Sequence, residues 1–446
     1  MKRTHHHLAA AALALAGVAA GAPPALAQSH PEYIPLPRVQ AALYKPDSGP
    51  APHVAFLVAH RTANNLSTNA CAELAQRGFM VLCFNTRFVN NEAQVRWEET
   101  PLDVKAAVEF VRRQPGITKV VLLGHSGGSP LMSLYEAIAE NGAAYCQRPE
   151  RIVKCGNDVD GLKPVDAIVF PDAHPGNPVQ ALRDLNPSVV MGEDGKLKVI
   201  PELDPFSPAN GFNPNGVSHY SKEFQTRYYA AQSKAMTDRL ARVQADEARI
   251  RRGDYPYPDD GLVMIPGGGN PGAGAGGDGV LIAMDPDIPE LMSTARPEKL
   301  LKNDGTIVTQ IVHSVAVPEP RNAKTNRAFH TGTKIFTFKS FLSANATRST
   351  NSLDGIEDCS SNNSTVCAVQ SIHVPILVAA MGGYHFVRDQ EVIYDKSAST
   401  DKDYVVIEGA LHGYTPCTAC EKTPGQYSNT MKNLFDYIAA WTNKRF

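Results

Sequence analysis

The sequence lacks an excess of one charge: 43 lysines and arginines stand against 45 aspartates and glutamates, a formal net charge of −2 at pH 7. That balance gives no bulk basic field for nucleic acid or for an anionic membrane surface. Past the N-terminus there is no apolar run approaching the roughly twenty residues a membrane-spanning helix needs. The glycine run "GGGNPGAGAGGDG" at 267–279 has no Gly-Lys-Ser/Thr behind it. It is therefore no phosphate-cradling loop and reads as a flexible connection. "CTAC" at 417–420 has no second C-x-x-C to complete a zinc site and no thioredoxin-like surroundings, so a loop-stapling disulfide is the expectation. Internal repeats are absent. A hydrophobic content of 43% and a charged content of 20% suit a globular protein, and 446 residues are ample for a core.

What is present begins with an export signal. Lys2 and Arg3 form a charged start, 8–22 is rich in Ala and Leu, and Ala25-Leu26-Ala27 is a small-x-small cleavage site. Residues 1–27 are read as a signal peptide and the mature chain as beginning near Gln28. The alternative, a membrane anchor, is opposed by the short apolar run and by Pro23 and Pro24, which break it. The mature form is thus expected in the periplasm or the medium, without a membrane segment. Eight cysteines in an exported chain invite disulfides. Cys146 and Cys155, Cys359 and Cys367, and Cys417 and Cys420 are near neighbours. Cys71 and Cys83 remain, and Cys83 lies in "FMVLCF", where burial alone would account for it.

Strand-like apolar runs fall at 54–59, 80–84, 120–123, 167–170, 376–380 and 404–407. Helical spacing fills 67–77, 102–113 and 129–141 between the first four, and 430–441 after the last. Such alternation argues for a parallel sheet covered on both faces. It stops after Phe170. About two hundred residues then intervene, far too many for a loop. They include one long helix over 223–252, with Met236, Leu240, Val243 and Ile250 as its apolar stripe. The segment 176–370 is read as a cap over the carboxyl edge of the sheet, inserted between core segments 28–175 and 371–446.

The run at 120–123 ends in Gly124-His125-Ser126-Gly127-Gly128, a G-x-S-x-G pattern, and Leu131, Leu134, Tyr135 and Ile138 follow at helical spacing. A serine on so sharp a strand-to-helix turn needs glycines around it because flanking side chains would clash. The alternative is a plain glycine-rich turn, but the strand before and the helix after both fit a nucleophile elbow.

On these residues the chain resembles the α/β-hydrolase superfamily over about 53–175 and 370–446. The resemblance implies a mostly parallel eight-stranded sheet with helices on both faces, and 39–44 would supply an early antiparallel strand. It also implies a triad in the chain order nucleophile, acid, histidine. His412, in "VVIEGALHGY" at 405–414, stands at the histidine position. The acid usually follows the seventh strand, yet there this chain has Tyr384, His385 and Phe386 after "PILVAAMGG". A histidine cannot be the anionic partner that orients an imidazolium. Some members place the acid after the sixth strand, where "AIVFPDAHPG" offers Asp172. Asp172 is therefore assigned, with Asp389 and Glu408 in reserve; its other reading is a turn-former beside prolines. The family's oxyanion donors are main-chain N–H groups, here those of Gly127 and of Arg61 in "LVAHRT", where arginine replaces the usual glycine after His60. The Arg61 side chain pairs with a nearby acid or, alternatively, binds a substrate carboxylate. Arg87 fits a structural arginine of the family. His174 and His385 read as satisfied loop histidines, and no ligand spacing points to a metal.

The expectation is a secreted or periplasmic serine hydrolase that cleaves a small-molecule carboxylic ester through an acyl-enzyme, with Ser126, His412 and Asp172 as triad and no cofactor. The same triad would also serve cleavage of a carbon–carbon bond in a diketone. A non-catalytic binding protein on the same scaffold is the third reading, supported by the missing carboxylate after strand seven.

Overall fold

The computed structural model describes residues 30–266, 292–316 and 333–446, with Leu281, Asp285, Asp287 and Ile288. The expected signal peptide and the glycine run at 267–279 lie outside the described residues.

Along the chain come β1 (Glu32–Leu36), β2 (Val39–Tyr44), β3 (Val54–His60), α1 (Asn69–Ala75), β4 (Met80–Asn85), α2 (Pro101–Arg112), β5 (Lys119–Leu123), α3 (Gly128–Asn141) and β6 (Ala167–Pro171). The long intervening segment contributes α4 (Asn177–Asp184), β7 (Val189–Met191), β8 (Leu197–Val199), α5 (Lys222–Arg252), β9 (Leu262–Ile265), β10 (Glu298–Leu301), β11 (Ile307–Gln310) and β12 (Lys334–Thr337). The chain closes with β13 (Ile376–Met381), a helix Val387–Lys396 named α6 here, β14 (Lys402–Ile407) and a last helix Thr430–Asn443, α7.

One sheet runs β1-β2-β4-β3-β5-β6-β13-β14-β10-β11. β1 and β2 form an antiparallel hairpin at one edge, and β2 pairs antiparallel with β4. From β4 through β3, β5, β6 and β13 to β14 every pairing is parallel. This strand order is that of the α/β-hydrolase fold. The eight expected strands are present, and two more extend the far edge. β10 pairs parallel with β14 and antiparallel with β11, so residues 298–310 of the long insertion belong to the sheet.

The central strands form because they are buried on both faces and read as near-continuous apolar runs. Alternate side chains feed two cores. Ala55, Leu57, Leu82, Phe84 and Leu122 join Val104 and Val108 of α2 and Leu134 and Ile138 of α3. Phe56, Val58, Val81, Val121 and Leu123 face the other way, onto Leu74 of α1 and Leu434, Phe435 and Ile438 of α7. In the insertion, α5 begins at Ser221, whose hydroxyl oxygen accepts from the Phe224 N–H, and ends at Gly253 with φ 74°. Its Met236, Leu240 and Val243 pack with Phe336, Phe338 and Phe341 in a separate apolar cluster.

All eight cysteines are paired: Cys71 with Cys83, Cys146 with Cys155, Cys359 with Cys367, and Cys417 with Cys420. The first pair ties α1 to β4, so Cys83 is bonded as well as buried. Four disulfides suit an oxidising compartment. Among the described residues no helix is long and apolar enough to cross a membrane.

Directly behind the elbow, Glu136 of α3 is fully buried and accepts from the Val165 N–H at 3.0 and 3.3 Å. Burial pushes its carboxyl from near 4.5 up to about 8. The folded protein then holds this proton more tightly than the unfolded chain. Its contribution to stability is complete below about pH 4.5 and is lost as pH rises through 8. Glu136→Gln keeps an acceptor for Val165 and cannot ionise. The Tm of E136Q should match the wild type at pH 5 and exceed it by about 3–6 °C at pH 9. An identical Tm difference at both pH values in scanning calorimetry would contradict this account.

Candidate active site

β5 delivers Ser126 to the carboxyl edge of the sheet. Gly128 N–H donates to His125 O at 2.7 Å and Ser129 N–H to Ser126 O at 2.9 Å, closing the turn into α3. Ser126 has φ 53°, the left-handed region that costs a non-glycine residue about 1–2 kcal/mol. The glycines are set by packing. A Cβ on Gly124 would lie 2.7 Å from Gly128 O, and one on Gly128 only 2.2 Å from Ala59 O.

Asp172 follows β6 and also has positive φ, 47°. Its N–H donates to Ala379 O at 2.8 Å, and its main-chain oxygen accepts from Ser126 N–H at 3.3 Å, which locks it beside the elbow. The side chain is fully buried. Oδ2 is hydrogen-bonded to His412 Nδ1. Oδ1 accepts from Gln390 Nε2 at 2.7 Å and from Met381 N–H at 3.3 Å. His412 sits in the turn after β14, its imidazole 28% exposed. Its main-chain oxygen accepts from His125 Nε2 at 2.7 Å, and Tyr384 stacks on its ring at 4.8 Å. Strained backbone gathers at this site: Ser126, Asp172 and Tyr414 are three of the five non-glycine residues with positive φ among those described.

Two of the three assigned triad residues are therefore in direct contact, and the third is held beside them by main-chain bonds. The Ser126 hydroxyl makes no hydrogen bond to His412 here; such bonds commonly tighten only once substrate is bound. The reserve acids are engaged elsewhere. Asp389 pairs with Arg183 at 2.8 Å, and Glu408 is bonded to Lys302 and to Asn303 N–H. His385, at the usual acid position, is buried against Tyr384 and Phe386 at ring distances of 4.0 and 4.5 Å.

Gln390 carried no signal in the sequence. It sits mid-helix in α6, donates to Asp172 and accepts from Ala173 N–H at 3.2 Å. Gln390→Leu removes a charge-assisted bond and should lower kcat about tenfold or more, with KM nearly unchanged. Wild-type kcat in a folded Q390L would count against this role.

Arg61 is buried at 2% exposure and pairs with Glu92, Nη2 at 2.9 Å and Nε at 3.0 Å from Oε1. Pairing with a nearby acid is thus the outcome for its side chain. Burial works to raise the Glu92 carboxyl, but the Arg61 charge and a hydrogen bond from Thr62 outweigh it and hold the group below its ordinary value. His60 Nδ1 accepts from the N–H groups of Thr62 and Ala63 at 3.2 and 2.9 Å. Its proton therefore sits on Nε2. Burial first, then the Arg61 charge, hold His60 and His174 well below the usual histidine range; burial and His412 do the same for His125. These three imidazoles are neutral near pH 7. His174 differs from its expected satisfied state: neither ring nitrogen has a hydrogen-bond partner among the described residues. Arg87 pairs with Asp103 and Glu99 at 2.7 and 3.0 Å, a structural clamp between the β4 turn and α2. His125, Asp172 and His412 offer ligand-type atoms within 4.8 Å of one another. Most of that capacity is already used in the bonds described.

No family model and no curated protein matches the sequence. Solved structures resemble it in outline. Brefeldin A esterase is 10% identical, with 94% of this chain and 78% of that one aligned at a TM-score of 0.40. Est1E from Butyrivibrio proteoclasticus, with ferulic acid bound, is also 10% identical, with 93% and 98% aligned at 0.38. A monoacylglycerol lipase from Paleococcus ferrophilus is 11% identical, with 92% and 100% aligned at 0.37.

Proposed function

We propose that this chain is an exported serine hydrolase of carboxylic esters. The observation that supports it most is the bond between His412 Nδ1 and the buried carboxylate of Asp172, set beside a serine in a left-handed elbow. Asp172 holds His412 in the tautomer with its lone pair on Nε2, so His412 accepts the Ser126 proton as Oγ attacks the ester carbonyl. Main-chain N–H groups of Gly127 and Arg61 receive the developing oxyanion. The Gly127 N–H is free for this, having no protein acceptor among the described residues. His412 then protonates the leaving alcohol, and water repeats the sequence on the acyl-enzyme. No cofactor enters the scheme. Residues 176–370, apart from the strands they lend to the sheet, serve as the cap that bounds the pocket. The four disulfides favour a periplasmic or extracellular site of action.

The binding-protein alternative drew on the missing carboxylate after β13, and Asp172 meets that need from β6. The test is a panel of p-nitrophenyl esters beside a 1,3-diketone series. Ester turnover with an initial p-nitrophenol burst is expected. Turnover of diketones alone, or of nothing, overturns the ester reading.

A further inference from the structure

Arg61 stands where the fold's usual oxyanion turn has a glycine, and its buried guanidinium is only partly spent on Glu92. Nε and Nη2 make that pair. Nη1 instead reaches over Gly127. A Cβ built on Gly127 would lie 2.1 Å from Arg61 Nη1 and 2.7 Å from His60 Nε2. Since a carbon–carbon bond is about 1.5 Å, Nη1 is in contact with the Gly127 backbone, one bond from the N–H assigned to the oxyanion. His60 Nε2 carries a proton, because Nδ1 accepts two main-chain N–H groups, and the ring is neutral. A permanent positive charge and a neutral N–H donor thus converge beside Gly127. The absence of a side chain there has a physical reason, since any Cβ would displace the guanidinium.

We propose that Arg61 is a catalytic residue through its side chain: Nη1 donates a charge-assisted hydrogen bond to the ester oxyanion. This rests on the serine-hydrolase reading above. When Ser126 Oγ bonds to the carbonyl carbon, the C=O π pair moves onto oxygen and the serine proton passes to His412. Arg61 keeps its proton throughout, as a guanidinium does in proteins. In a site from which water is excluded, one such donor is worth about 10²–10³ in kcat. Glu92 is a positioning residue: it holds two nitrogens of the fork so that the third is aimed at Gly127.

The experiment compares wild type, R61K and the double variant R61M/E92Q on p-nitrophenyl butyrate and on a fluorophosphonate, whose phosphoryl oxygen takes the oxyanion position. The double variant leaves no unpaired Glu92 carboxylate. It should be folded, with kcat down about 10²–10³-fold and KM within a few-fold. Its rate of Ser126 labelling should fall in parallel, which loss of a merely structural ion pair would not cause at constant Tm. R61K keeps the ion pair but not the fork and should lose about tenfold in kcat. If R61M/E92Q labels and turns over within threefold of wild type, or R61K is fully active, the inference is overturned while the serine-hydrolase reading stands. A wild type that takes no label on Ser126 overturns both.

Discussion

Asp172→Asn is expected to lower kcat about 10⁴-fold while leaving the fold intact. The substitution is nearly isosteric. An asparagine oxygen can still accept from Gln390 and Met381, the two donors that hold Asp172 Oδ1. What changes is the side facing His412. An amide NH₂ there cannot accept from Nδ1, so the imidazole takes the opposite tautomer and presents a proton, not a lone pair, toward Ser126. The imidazolium formed during attack also loses its only adjacent carboxylate among the groups described, since Asp389 and Glu408 are bonded to Arg183 and Lys302. The check is kcat for p-nitrophenyl butyrate beside near-ultraviolet circular dichroism. D172N activity within a few-fold of wild type would remove Asp172 from the triad.

Ser126→Ala should produce the largest loss, approaching 10⁶-fold in kcat. The residual rate would come from substrate binding and the oxyanion donors acting on bound water. Because the main-chain bonds of the elbow do not involve Oγ, Tm should stay within about 2 °C of wild type, a shift typical of changes below 1 kcal/mol. Activity above about 1% of wild type in S126A, with contaminating esterase excluded, would mean the chemistry uses another nucleophile.

The core was legible because its strands are buried on both faces: β6 and β13 are unbroken apolar runs, and β3, β4 and β5 are apolar except for one terminal residue each, His60, Asn85 and Lys119, the pattern of a covered parallel sheet. The edge strands were not. β11 is exposed throughout and β10 buries only Leu300 and Leu301, so neither shows a period that local sequence could reveal. Ser126 and His412 were placed by motif and by position after a strand. Asp172 is marked only indirectly, by the absence of a carboxylate directly after β13. Neither Gln390 nor Glu92 is marked by any motif in the sequence. Their partners lie 218 and 31 residues away, and long-range hydrogen bonds leave no local pattern. The same is true of the crowding at Gly127, which appears only when the elbow and the Arg61 turn are brought together.

The most direct test of the account is the intact mass of purified protein after incubation with a fluorophosphonate, followed by peptide mapping. A single adduct, carried by Ser126, is expected. No adduct under conditions that label a control esterase, or an adduct on a different serine, would contradict it.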